Sequence, residues 1–272
     1  MQEEKDMTDK KQNQKTNYGN WVPANLMYMA AAVLAVLALL EALNLLVWKH
    51  PLVCAAAGIL FVLVLAFALY MGKCRRTFAF DGGGLMGEIH EFLVNHLLWN
   101  GKGTLLDIGC GAGALTIRCA KRFPKARLTG MDYWGKEWNY AKEQCEENAR
   151  AEGVAGRTVF EQGDAASLNY SSESFDAAVS NFVFHEVRTQ PDKRLVVREA
   201  LRVVKKGGAF AFQDMFAHRE LYGDMAEFVE QLKAEEITEI HYIPEVDKLD
   251  FIPGFIRAPW MLRGMGLLYG IK

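Results

Sequence analysis

Charged side chains are nearly absent from residues 21–72, although 24% of the whole chain is Asp, Glu, Lys or Arg. Residues 26–48 contain one charge, Glu41, and residues 51–72 contain none before Lys73. Each run has about the twenty apolar residues that a helix needs to span a bilayer core. A globular helix seldom lacks a polar face for so long, and a signal peptide would not follow a polar tail. The sequence predicts a transmembrane helical hairpin at 21–72, between a polar tail at 1–20 and a domain at 73–272.

Paired cysteines and an excess of basic residues are also missing. The five cysteines are scattered without a CxxC spacing, which is untypical of zinc sites and disulfide frameworks and suits a reducing compartment. The net charge is -2, whereas nucleic-acid binding normally requires a basic stripe. We therefore expect no bound metal and no nucleic-acid partner.

Basic residues are concentrated on both sides of the hairpin rather than in its turn. They are Lys10, Lys11 and Lys15 before it and Lys73, Arg75 and Arg76 after it, against Lys49 in the turn. The positive-inside rule therefore predicts a multi-pass protein of the cell membrane, with both termini and the domain in the cytoplasm. Glu41 is expected near the outer end of its helix, with its carboxyl group reaching toward the interface; a substrate role is the less favoured reading.

Strand-like and helix-like patterns alternate after Arg76. Strands are predicted at 103–108, 126–131, 158–162, 175–181, 208–213 and 266–271, and helices at 88–99, 114–123, 136–151 and 193–204. Such alternation indicates βαβ units, and hence an α/β fold with a mostly parallel sheet and helices on both faces. In such sheets ligands bind at the carboxyl ends of the strands.

The segment LLDIGCGAG at residues 105–113 joins the first strand to a helix. Its glycines allow a tight turn and a close approach between the backbone and a ligand. Nicotinamide dehydrogenases have a related GxGxxG turn, which binds a pyrophosphate. Here the spacing is GxGxG, and the acidic residue Asp107 suits a cationic amino-acid ligand better than a pyrophosphate.

DIGCGAG resembles motif I of the class I, Rossmann-like methyltransferases that depend on S-adenosyl-L-methionine (SAM). Further segments are similar to the family's later motifs, in the same order, as far as LRVVKKGG at residues 201–208. The resemblance implies a seven-stranded, mostly parallel sheet and SAM as the methyl donor. The domain looks most like small-molecule methyltransferases, notably those of quinone biosynthesis.

The resemblance also implies roles for residues at the ends of the strands. Asp132 would bind the ribose hydroxyls, and Tyr133 would cover the adenine. Asp164 and Ala165 would lie near the adenine amino group, and Asn181 near the methyl donor and acceptor. The remaining cofactor contacts would come from Asp107, Gly109, Cys110, Gly111 and Gly113.

A general base is needed only if the methyl acceptor arrives protonated. His185 and Glu186 follow the fourth strand and are therefore the candidate catalytic residues. His185 titrates near neutral pH and would take the proton, with Glu186 orienting its ring. The alternative is that His185 is a structural residue at the start of a helix.

The hairpin favours an acceptor that dissolves in lipid, such as a quinone or a lipid headgroup. A soluble acceptor, with the hairpin serving only for location, and a non-catalytic SAM-binding membrane protein remain as alternatives. A dinucleotide-dependent oxidoreductase is disfavoured by the GxGxG spacing. The apolar segment at 251–262 either packs inside the domain or rests on the bilayer interface through Arg257 and Trp260, and we favour an interfacial or lid role.

Overall fold

The computed structural model of the chain describes residues 16–81, 83–134, 140–235 and 237–272. These residues form two compact units. One comprises residues 19–87, and the other comprises residues 16–18 together with the described residues of 88–272. Lys10, Lys11 and Lys15 lie outside the described residues, so the orientation of the hairpin in a membrane stays an expectation.

The unit at 19–87 is a helical hairpin. Helix α1 covers Ala24–Leu43 and continues as a π-helical turn over Asn44–Trp48, and helix α2 covers Pro51–Phe78. Both helices are long and apolar enough to cross a membrane. Proline occupies the first turn of α2, where its missing N–H group leaves no intrahelical bond unmade.

A buried asparagine closes the turn of the hairpin. The side chain of Asn44 is 1% exposed, and its amide donates to the His50 carbonyl and accepts from the His50 N–H, each at 3.1 Å. Lys49, between them, adopts a left-handed conformation with φ of 54°. The polar residue at the end of the first apolar run therefore satisfies backbone groups that the sharp turn would otherwise leave unpaired.

Glu41 faces the second helix of the hairpin. Its Oε1 accepts a hydrogen bond of 3.5 Å from the thiol of Cys54. Its Oε2 is buried and has no hydrogen-bond partner in the described part of the chain. The side chain is thus turned toward α2, and its position relative to a membrane interface stays a prediction.

The larger unit is built on a seven-stranded sheet in the order β3-β2-β1-β4-β5-β7-β6. The strands are Gly103–Ile108 (β1), Ala126–Asp132 (β2), Thr158–Gln162 (β3), Phe175–Asn181 (β4), Val204–Asp214 (β5), Glu239–Ile243 (β6) and Gly266–Ile271 (β7). The first five are parallel, and β7 lies antiparallel between β5 and β6. The predicted α/β architecture is confirmed, and β6 is the strand that the sequence pattern did not locate.

Helices connect and cover these strands. They are Leu85–His96 (α3), Ala114–Arg122 (α4), Tyr140–Ala151 (α5), Lys193–Arg202 (α6), Arg219–Tyr222 (α7) and Met225–Ala234 (α8). The predicted helix at 136–151 begins in a stretch, 135–139, that lies outside the described residues. Fully buried side chains of the sheet, among them Phe210 and Phe212, pack with Val197 of α6 and Phe228 of α8 into the main hydrophobic core.

The apolar segment near the C-terminus packs largely inside the domain. Ile252, Ile256 and Leu262 are fully buried, and the Arg257 guanidinium donates a hydrogen bond of 2.9 Å to the Ile252 carbonyl. Trp260 alone among its large apolar side chains is highly exposed, at 68%. The expectation that this segment rests on the bilayer interface is therefore wrong for most of its residues. Its aliphatic side chains are buried in the domain, and Arg257 forms its hydrogen bond within the segment.

Candidate active site

The glycine loop between β1 and α4 is exposed at its middle glycine, Gly111. Gly109, Gly111 and Gly113 all have positive φ, at 74°, 55° and 82°. A Cβ atom at Gly109 would lie 2.2 Å from Cγ2 of Val183, whereas one at Gly111 would meet no atom within 4 Å. The loop therefore needs glycine at the first position for packing, and it leaves open space for a ligand above the second.

Contacts from neighbouring elements hold this loop in shape. The N–H groups of Gly109 and Cys110 donate to the Met131 carbonyl at 2.7 and 3.0 Å. The Gly111 carbonyl accepts hydrogen bonds of 3.1 Å from the Trp134 indole and from the Cys145 thiol. Burial raises the pKa of Cys110 well above its usual value, so this thiol stays neutral and packs as an apolar group.

Asp107 lies beneath the loop and is 1% exposed. Its Oδ2 accepts a hydrogen bond of 2.6 Å from the Thr116 hydroxyl, while its Oδ1 is buried with no partner among the described residues. Burial, aided by the charge of Asp132, raises the pKa of Asp107 to about 7 against the opposing hydrogen bond from Thr116. An unpartnered buried carboxylate oxygen calls for an explanation, and a cationic ligand group would supply one.

Asp132 ends β2 on the other side of the loop. Its Oδ2 accepts a hydrogen bond of 2.8 Å from the Gly111 N–H, and its Oδ1 one of 3.3 Å from the Trp134 N–H. A carboxylate has further lone pairs, so these bonds leave it able to accept from ligand hydroxyls. The adjacent Tyr133 is 62% exposed, which leaves its ring available to cover a flat group.

Asp164 follows β3 and caps its own turn. Its Oδ1 accepts from the Ala166 N–H at 2.8 Å and from the Thr189 hydroxyl at 3.1 Å. Ala165 is buried at 8% exposure. Asp164 therefore stabilises its own turn, and through Thr189 the same carboxylate connects the β3 turn to the segment that follows β4.

Polar side chains meet where β4 and β5 end. Asn181 and Gln213 are register partners, and the Gln213 amide donates a hydrogen bond of 2.8 Å to Oδ1 of Asn181. The Oε1 of Gln213 is buried and unpartnered within the described residues. Phe182, directly after the strand, has φ of 58°, a conformation that is costly for a bulky side chain and clusters at functional sites.

His185 is held by an aspartate that the sequence reasoning did not identify. Its Nδ1 lies 2.7 Å from Oδ1 of Asp214, which is fully buried at the end of β5. Asp214 also accepts hydrogen bonds from the Phe184 and Met215 N–H groups, at 2.8 and 2.6 Å. Glu186 lies 3.5 Å from Nε2 and is 71% exposed. The assignment of Glu186 as the orienting group is corrected, because Asp214 makes the shorter and more buried contact.

Two opposing effects act on the protonation of His185. Burial by itself lowers the pKa of the imidazole, but the hydrogen bond and charge of Asp214, with the charge of Glu186, outweigh it and raise the pKa above its usual value. The sequence pattern did not indicate Asp214 or Gln213 as site residues. Both lie at the carboxyl end of β5, and ligands bind at the carboxyl ends of the strands in such sheets, so this position was the signal that could have identified them.

Among the residues with described positions, no group of three or more His, Cys, Asp or Glu side chains is arranged to hold a metal ion. The polar residues discussed above instead surround the glycine loop and the ends of β1, β2, β4 and β5. They are suited to an organic ligand with a cationic end, hydroxyl groups and a flat ring.

Residues 100–249 match a protein family described as a methyltransferase domain. The chain is 36% identical over 110 residues to 27-O-demethylrifamycin SV methyltransferase of Amycolatopsis mediterranei, covering 40% of this chain and 38% of that protein. It is 34% identical over 104 residues to demethylmenaquinone methyltransferase of Lactobacillus johnsonii, covering 38% and 40%. Geranyl diphosphate C-methyltransferase of Streptomyces coelicolor shares the fold, with a TM-score of 0.51 at 16% identity over 69% of this chain and 79% of that one.

The chain spans less than half the length of the curated relatives it matches. The family match, by contrast, covers more than half of its 272 residues and includes every strand from β1 to β6. The protein therefore belongs to the methyltransferase domain family and contains a SAM-dependent methyltransferase domain.

Proposed function

We propose that this protein transfers the methyl group of SAM to a small, lipophilic acceptor at the cytoplasmic face of a membrane. The observation that carries the proposal is the open space above Gly111. The buried, unpartnered oxygen of Asp107 and the carboxylate of Asp132 belong to the residues around this glycine loop.

The described residues fit SAM by their chemistry. Asp107 would accept from the ammonium group of the amino-acid end, which satisfies its orphaned oxygen and favours its ionised form. Asp132 would accept from the ribose hydroxyls, and Tyr133 would cover the adenine, near Asp164 and Ala165. Asn181 would lie near the reacting methyl group. The bound sulfonium supplies an electrophilic methyl group, and the protein's main task is to align a nucleophile with it.

His185 is the candidate base for an acceptor that carries a proton on its nucleophilic atom. Asp214 engages Nδ1 and holds the ring in place, so Nε2 is the nitrogen available to accept the proton. The protonated ring would then face two carboxylates, Asp214 and Glu186, which stabilise its positive charge. Asp214 is in this proposal a positioning residue, comparable in role to the buried aspartate that orients histidine in catalytic triads.

The lipophilic character of the acceptor is supported by the hairpin. Two helices long and apolar enough to span a bilayer precede the domain in the chain. A membrane anchor raises the effective concentration of acceptors that are dissolved in the same layer. The demethylmenaquinone methyltransferase of Lactobacillus johnsonii is named for an isoprenoid quinone, and by analogy we place quinols first among the acceptors to be tested.

The test uses the full-length protein in lipid vesicles with SAM labelled on its methyl group. Demethylmenaquinol is compared with a short-chain, water-soluble naphthoquinol that has the same ring, and Asp132→Ala serves as the variant deficient in SAM binding. We expect label in the lipophilic acceptor, with at least a tenfold preference over the soluble one, a free-energy difference of about 1.4 kcal/mol. Equal transfer to both would contradict the lipophilic preference, and failure of the wild-type protein to bind SAM would contradict the whole proposal.

A further inference from the structure

The short N-terminal segment formed by residues 16–18 is docked along helix α5. We call it the strap. Three side chains spaced four residues apart on α5 receive it, and they are Gln144, Asn148 and Glu152. A spacing of four residues places side chains on one face of a helix, so the strap follows a single polar stripe. Directly after Tyr18, the hairpin unit begins at Gly19.

The middle residue of the stripe makes a two-point contact with the backbone of the strap. Asn148 Oδ1 accepts from the Asn17 N–H at 2.8 Å, and Asn148 Nδ2 donates to the Asn17 carbonyl at 2.8 Å. The side-chain amide thus pairs with the backbone as a peptide group of a neighbouring strand would. Asn148 is 1% exposed, so both bonds are shielded from water.

The same amide reaches the glycine loop. Asn148 Nδ2 also donates a hydrogen bond of 2.9 Å to the carbonyl of Ala112, which lies between Gly111 and Gly113. With a further contact of 3.4 Å from Gln144, the donors and acceptor of the Asn148 amide are in use. One buried side chain therefore joins the strap to the loop whose open backbone forms the proposed SAM site.

The end of the strap is anchored separately. The Tyr18 hydroxyl donates a hydrogen bond of 3.1 Å to Oε1 of Glu152, and Glu152 Oε2 pairs with the ammonium group of Lys121 on α4. The strap is thus attached at two successive residues to the helices that frame the loop.

We propose that Asn148 is a positioning residue for SAM binding and that it acts together with the strap. The strap holds the Asn148 amide in the orientation that restrains the Ala112 carbonyl, and the glycine loop is thereby kept in its ligand-ready shape. Since the strap leads directly into the hairpin, the cofactor site is built in part by the chain segment that precedes the membrane anchor. This inference rests on the proposed SAM site.

The decisive comparison is between two substitutions at one position in the full-length protein. Asn17→Pro removes the backbone N–H group that donates a hydrogen bond to Asn148 Oδ1. Asn17→Ala keeps the backbone N–H and carbonyl groups and removes only the side chain. We expect Asn17→Pro to weaken the binding of S-adenosylhomocysteine about fivefold, the effect of one lost hydrogen bond, and Asn17→Ala to stay within about twofold. Calorimetry measures the affinity, and amide hydrogen exchange of residues 109–113 should be faster in Asn17→Pro alone.

A second pair of variants separates the strap from the loop. Asn148→Ala removes both contacts and should weaken binding more than Asn17→Pro, while Glu143→Ala, at an exposed position of the same helix, should have little effect. If Asn148→Ala weakens binding but Asn17→Pro behaves like Asn17→Ala, the coupling to the strap is refuted. If the wild-type protein does not bind S-adenosylhomocysteine, the proposed function fails instead, and the exchange rates of the ligand-free loop still decide whether the strap restrains it.

Discussion

Replacing Asp107 with asparagine should stabilise the ligand-free protein at alkaline pH while it weakens the binding of SAM. The carboxyl group is buried, has one hydrogen bond to Thr116 and leaves one oxygen unpartnered in the described part of the chain. Its pKa is raised to about 7, chiefly by burial. Keeping this group ionised in the folded protein is therefore costly, and asparagine is of nearly the same shape without the charge.

The direction of the pH dependence follows from the raised pKa. In the unfolded chain Asp107 ionises near its usual value of about 4, whereas in the folded protein it remains protonated up to about 7. The folded state thus binds more protons between these values, and the wild-type free energy of unfolding decreases as the pH rises through this window. The difference between the two pKa values costs the folded protein at most about 4 kcal/mol, and this cost is fully present above pH 7.

The assay compares thermal unfolding of wild-type protein and Asp107→Asn at pH 5 and pH 8.5. The unfolding temperature of Asp107→Asn should exceed that of the wild type by more at pH 8.5 than at pH 5. Since 1 kcal/mol changes the unfolding temperature by about 2–4 °C, the difference at pH 8.5 should reach several degrees. Thr116→Val is the matched control, since it removes the hydrogen bond and leaves the charge in place, so it should destabilise at pH 8.5. In saturating SAM the wild-type protein should unfold at a higher temperature than Asp107→Asn, because the wild type binds SAM more tightly and is stabilised by it. An advantage of Asp107→Asn that is the same at both pH values would refute the reasoning.

Two further predictions concern His185 and the glycine loop. Nuclear magnetic resonance titration of His185 should give a pKa above the usual histidine value, lowered clearly in Asp214→Asn and only slightly in Glu186→Gln, because Glu186 is 71% exposed; equal effects of the two variants would contradict the assignment of Asp214 as the main partner. Gly111→Ala should reduce affinity for S-adenosylhomocysteine at least tenfold, about 1.4 kcal/mol, because its methyl group enters the open space of the site. Gly153→Ala is the control, with φ of 71° and equally open surroundings; it should lower stability by about 1 kcal/mol through strain alone and leave affinity unchanged.

Local patterns predicted the frame of this protein. The apolar pattern along the chain located six of the seven strands, and the GxGxG spacing located the glycine loop. Both signals depend only on residues that are close in sequence, since strand periodicity and the positive φ of a glycine turn are local properties. Strand β6, with the sequence EIHYI, was not located, because it is short and has no continuous apolar run, and its pairing partner β7 lies far along the chain. The two long apolar runs were likewise evident from composition.

Only the tertiary structure decided which groups meet. Asp214 lies 29 residues from His185, and Asn17 lies 131 residues from Asn148. No local pattern relates either pair, because the partners are brought together by strand order and by the path of the N-terminal segment. The charged neighbour of His185 in sequence, Glu186, is turned largely toward water, whereas the buried Asp214 is desolvated and so interacts more strongly with the ring. Burial and partner choice depend on the whole fold, and for that reason the sequence determined the residues of the site but the tertiary structure determined their contacts.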